Sequence, residues 1–161
     1  MSVLGELQPN KVFKYFEEIC SIPHGSRNLQ QISDYLVDFA KAHELKYRQD
    51  EDLNVIIWKD GSKGYEASEP VILQGHMDMV AVKEADCDKD MEKEGLDLEI
   101  NGDYISAKGT SLGGDDGIAV AYTLAVLDDE EMAHPPIEAI FTVNEEIGML
   151  GAATIDVSDL K

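Results

Sequence analysis

Positive charge is what this sequence lacks most. Thirteen lysines and arginines face 33 aspartates and glutamates, a formal net charge of -20 over 161 residues. A field of that sign repels phosphate backbones and anionic headgroups at long range, so nucleic acid and acidic membranes are excluded as partners. Cysteine is scarce as well. Cys20 and Cys87 make neither a C-x-x-C pair nor a disulfide framework, which points to reduced thiols in a cytoplasm. Nowhere does an apolar run reach the roughly 18 residues of a membrane span. The opening MSVLGELQPNKVF has no basic segment followed by an apolar stretch and a small-residue cleavage site. The expectation is a soluble, unsecreted protein. Internal repeats, linkers and low-complexity segments are also missing, apart from the acidic stretch Glu84 to Glu94. A chain of this length, 43% hydrophobic, supplies one core and not two.

What is present alternates between two periodicities. Val12, Phe13, Phe16 and Ile19 recur at helical spacing after Pro9, a residue suited to a first turn, and the pattern stops at Pro23. Ile32, Tyr35, Leu36 and Phe39 mark a second amphipathic helix from Asn28 to His43. NVIIW before Asp60-Gly61 and VILQG before His76 are short apolar runs of the kind that form buried strands. DLEINGDYISA predicts a hairpin turning at Asn101-Gly102. GIAVAYTLAVL, opening at Asp115, reads as a buried helix, Ile137 to Val143 as a strand, and Gly148 onward as the start of another helix. Strands alternating with helices predict an α/β sandwich whose sheet is at least partly parallel.

In such a fold, chemistry gathers outside the carboxyl ends of the strands. His76 and Asp78 follow VILQG, Asp115 and Asp116 follow the loop GTSLGG, and Glu145 and Glu146 follow the strand IEAIFTV. Carboxylates drawn together at one sheet edge raise one another's pKa unless a cation neutralises them. Nitrogen and oxygen donors without thiolate favour zinc, with manganese or cobalt as alternatives, over calcium. His76 and Asp78, two apart in extended chain, point to the same side, so the carboxylate can orient a ligating imidazole. Adjacent Glu145 and Glu146 diverge, which lets one bind metal while its neighbour acts as a proton-transfer base.

GHMD, GTSLGGDDG and TVNEEIGMLGA, in that order, resemble the co-catalytic zinc peptidases that include peptidase T, carnosinase and the carboxypeptidase G type. Together with the opening VFKYFEEICSIPHGSRN, the likeness is strongest to the aminoacyl-histidine dipeptidases, and it runs over nearly the whole chain. The resemblance implies a three-layer α/β sandwich with a mixed sheet and a site for two divalent metal ions. His76 would bind one ion, Glu146 the other, and Asp115 would bridge them. Asp78 would be the catalytic aspartate beside His76, and Glu145 the general base for water attacking a dipeptide. The family completes its site with a further acid beyond the Glu-Glu pair and a distant histidine, and neither has a counterpart up to Lys161. Residues 1–161 are therefore expected to be the amino-terminal part of the catalytic domain, without its lid or dimerisation domain, inactive by itself and cut from a cytoplasmic parent that forms a homodimer.

Three other readings compete. Gly109-Thr-Ser111-Leu-Gly113 matches a nucleophile elbow, yet only His134 lies downstream of it. Asp86, Asp88 and Asp90 are spaced like a calcium loop, but Met91 replaces the turn glycine and Asp97 the bidentate glutamate. Asp115 and Asp116 could simply cap a helix, and the chain could be an acidic metal-binding or interaction module without catalysis.

Overall fold

A computed structural model describes residues 2–161 of the chain. Helix α1 (Asn10–Cys20) starts behind Pro9, whose φ of -71° already suits a helix entry, and buries Val12, Tyr15, Phe16, Ile19 and Cys20. Helix α2 (Gln30–Ala42) lies beside it, with the Tyr15 and Phe39 rings meeting edge to face at 5.5 Å. Strands β1 (Lys46–Gln49), β2 (Val55–Lys59) and β3 (Val71–His76) follow, then a separate hairpin of β4 (Leu98–Asn101) and β5 (Tyr104–Ala107). Helix α3 (Gly114–Leu127), strand β6 (Ile137–Thr142) and the short helix α4 (Leu150–Thr154) complete the order. No described helix is long and apolar enough to cross a membrane.

The main sheet runs β1-β2-β6-β3. β1 with β2 and β2 with β6 are antiparallel, while β3 and β6 are parallel, so the sheet is mixed as the motif order implied. β6 is buried along its entire length and sits between β2 and β3. Its alternating residues divide the protein into layers. Ile137, Ala139 and Phe141 join Val55 and Ile57 in the core beneath α1, α2 and α3. A fully buried Phe141 stabilises that core by about 2 kcal/mol. Glu138 and Ile140 face the opposite way with Ile56 and Arg48. There Arg48 pairs with Asp156 and Asp159, and the Lys161 amide donates to the Glu138 carboxylate at 3.1 Å.

Lys59 ties the layers together at the far end of the sheet from the acidic motifs. Its ammonium donates to the carbonyls of Val126, Leu127 and Asp129 at 3.3, 2.9 and 2.5 Å, satisfying groups that the end of α3 leaves unpaired.

Three expectations need adjusting. β3 is the sheet edge and not a strand buried throughout: Val71 and Ile72 are 45% and 49% exposed, and only Gly75 and His76 are covered. The hairpin pairs Asn101 with Tyr104, which moves its loop one residue on to Gly102-Asp103, with Gly102 at a φ of 64°. β1 has a polar sequence, KYRQ, and exists because β2 offers it a ladder.

Candidate metal centre

His76 is the last residue of β3, and the parallel ladder sets it opposite Thr142 at the end of β6. Both strands therefore deliver their following loops to one place. Gly113, with a φ of 68°, turns the chain into α3 where an added Cβ would meet the Met79 sulfur at 2.9 Å. Asp115 and Asp116 come next, joined by a cis peptide and outside helical φ and ψ. Their side chains turn to His76, Asp116 accepting its amide and Asp115 facing its Nε2, although both lie in the first turn of α3.

The imidazole of His76 is buried and engaged on both nitrogens. Nδ1 faces the Asp78 carbonyl at 3.0 Å and its carboxylate at 3.6 Å. Nε2 faces Asp115 Oδ1 at 3.2 Å and Glu145 Oε2 at 3.8 Å. Donor atoms of His76, Asp115 and Glu146 all lie within 4.8 Å of one another, the one such group among the described residues. One imidazole nitrogen and two carboxylates in that volume fit a divalent cation of the zinc type, with positions left open for other ligands.

Asp78 and Glu145 complete the cluster. Asp78 is 1% exposed and accepts the amides of Glu145 at 3.0 Å and Glu146 at 3.4 Å, so one carboxylate fastens the loop after β6 to the loop after β3. All five predicted site residues are thus brought together. Burial alone would lower the His76 pKa, but its hydrogen bonds to Asp78 and Asp115 and the nearby acids raise it on balance. Asp116 is pushed up, first by burial and then by the charges of Asp115 and Glu145, although it accepts the His76 amide. A cation would relieve this like-charge crowding.

Several contributors carried no sequence signal. Ser26 donates its hydroxyl to Asp78 Oδ2 at 2.7 Å, and Asn144, at a φ of 54°, accepts the Arg27 amide at 2.8 Å. Both are common polar residues in loops and become visible only when the chain is folded. The competing sites do not assemble. Ser111 Oγ donates to the Val80 carbonyl at 2.6 Å, while His134 is buried with Nδ1 against the Pro135 carbonyl. Asp90 binds Lys93 and the Glu92 amide instead of converging with Asp86 and Asp88.

No family model matches the chain. It is 41% identical over 152 residues to the cytosol non-specific dipeptidase of Escherichia coli strain K12, covering 94% of this chain and 31% of that protein. The crystal structure of aminoacylhistidine dipeptidase from Vibrio alginolyticus superposes with a TM-score of 0.95 at 39% identity, over 98% of this chain and 32% of that one. The chain is similar to both of these dipeptidases over nearly its whole length. A tripeptidase structure from Staphylococcus aureus, 24% identical with a TM-score of 0.75, covers 94% of this chain and 41% of its own, and shares the α/β fold. The chain spans about a third of the length of the two dipeptidases.

Proposed function

We propose that this dipeptidase homologue is the amino-terminal part, residues 1–161, of the catalytic domain of a cytoplasmic enzyme that hydrolyses dipeptides, aminoacyl-histidines among them. The observation that carries the proposal is the convergence of His76, Asp115 and Glu146 with Glu145 beside them. His76 and Glu146 would each hold one of two divalent ions, zinc first and manganese or cobalt as alternatives, with Asp115 shared between them. When bound, such ions polarise the peptide carbonyl and acidify water. Glu145 takes the proton from the attacking water and returns it to the leaving amine. Asp78 holds the His76 ring and the Glu145 amide in register. The remaining ligands and the substrate lid come from the part of the protein that corresponds to the other two thirds of the relatives.

The test compares a polypeptide of the relatives' full length with residues 1–161, using an aminoacyl-histidine as substrate. The long form is expected to hydrolyse it, to stop after chelation and to recover with zinc, manganese or cobalt. The short form is expected to show no turnover. Hydrolysis that survives chelation and stops with a serine-directed reagent would overturn the proposal in favour of Ser111. Calcium-selective uptake without hydrolysis would leave a binding module.

A further inference from the structure

Asp78 sits between two loops, but neither of those loops holds its second oxygen well. Oδ1 accepts the Glu145 amide at 3.0 Å, whereas Oδ2 has the distant Glu146 amide at 3.4 Å and the Ser26 hydroxyl at 2.7 Å. The Ser26 bond is the short one, and a hydroxyl on a carboxylate is stronger than a neutral pair. Ser26 also belongs to a third segment, the turn between α1 and α2, which bears no residue of the acidic cluster.

That turn is itself pinned to both sides of the site. The Met79 amide donates to the His24 carbonyl and the Ser26 amide to the Met79 carbonyl, each at 3.1 Å, so a short parallel bridge joins Gly25 to Met79. Gly25 permits the approach: a Cβ there would lie 2.6 Å from the Ala81 Cβ. One residue on, the Arg27 amide reaches Asn144, immediately before Glu145, and Arg27 adopts a φ of 71° to do so. Residues 24–27 therefore clasp the loop after β3 and the loop after β6 at once, and it is Ser26 whose side chain hydrogen-bonds Asp78.

We propose that Ser26 is a positioning residue of the metal centre, acting through Asp78. Its hydroxyl fixes the carboxylate that sets a negative charge 3.6 Å from His76 Nδ1 and draws in the backbone of Glu145 and Glu146. Without it, Oδ2 retains one long amide contact, and the carboxylate is free to turn away from Nδ1. The inference rests on the metal reading of the site given above.

The experiment titrates a polypeptide of the relatives' full length with Co2+ and follows the visible absorption of the ion, alongside the urea midpoint of each variant without metal. Ser26→Ala is expected to weaken Co2+ binding about tenfold or more, the range seen when a group behind a metal-bound histidine is removed. Ser26→Thr, which keeps the hydroxyl, is expected to restore the affinity and the spectrum. In an Asp78→Ala background, Ser26→Ala is expected to cost no further affinity. A purely structural serine would lower the urea midpoint and leave Co2+ affinity untouched, and that result overturns the inference alone. An equal loss in the Asp78→Ala background overturns it too, because the effect then bypasses Asp78. If the unaltered full-length polypeptide takes up no Co2+, the metal reading falls and the inference with it.

Discussion

The proposed function gives the neighbours Glu145 and Glu146 divergent tasks, and substitution is expected to separate them. In the full-length protein, Glu145→Gln is expected to cut hydrolysis by about 10²-fold or more while metal content stays unchanged. Glu146→Gln and His76→Ala are expected to lose metal and activity together, as read by metal analysis of the purified variants. A second contrast concerns the two thiols. Burial, with a smaller contribution from the charge of Glu17, pushes the Cys20 thiol up to about 12, so at pH 8 it holds its proton and offers no nucleophile. Cys87 is half-buried. Iodoacetamide at pH 8 is expected to label the native chain once, at Cys87, with both sites found by mass spectrometry after unfolding. Because the folded pKa is raised, the neutral Cys20 contributes stability that is whole below the ordinary thiol pKa of about 8.5. That contribution is lost as pH climbs from there toward about 12, and an alkaline fall in the urea midpoint that Cys20→Ser removes would show it.

Elements with an apolar period were legible in the sequence: both amino-terminal helices, β2, β6 and α3 stand where periodicity puts them. Those without one were not. Nothing in KYRQ separates β1 from a loop, since its strand character comes from pairing with β2. VILQG reads as buried because Val71 and Ile72 are as apolar as core residues, and composition does not reveal which strand ends a sheet. The acidic and imidazole groups gathered here, Asp116 among them, were legible because each follows a strand or a glycine-rich loop, while their separate roles came from the family resemblance. Ser26 and Asn144 were not, because their importance lies in contacts with residues far off in sequence. Helix α4 shows how little such contacts leave to composition. It docks through Gly151, where a Cβ would collide with Asn54 Oδ1 and lie 2.6 Å from the Val143 carbonyl. Gly151→Ala is expected to destabilise the chain by about 1–3 kcal/mol, read as a shift of the urea midpoint at constant slope.

At the scale of the whole molecule, the outer edge of β3 is unpaired among the described residues, and exposed Val71 and Ile72 lie along it. Open edges of this kind invite strand pairing, while a net charge of -20 opposes the approach of a second copy. Residues 1–161 are therefore expected to self-associate more as salt is raised, because screening removes the repulsion and leaves the edge. Sedimentation velocity at low and high salt would show it, and Ile72→Lys is expected to abolish the effect.

β6 also dictates an order of events. β2 and β3 each pair with β6 and not with each other, so no partial sheet can join them without it. Pairs such as Ile72 with Glu138 link distant parts of the chain, and closing loops of that length is slow. His76 and Glu146 cannot meet until that closure is complete. During refolding, the ability to capture a metal ion should then emerge last, after the helices and the β1–β2 pair have formed, which makes it a clock for the arrival of β6.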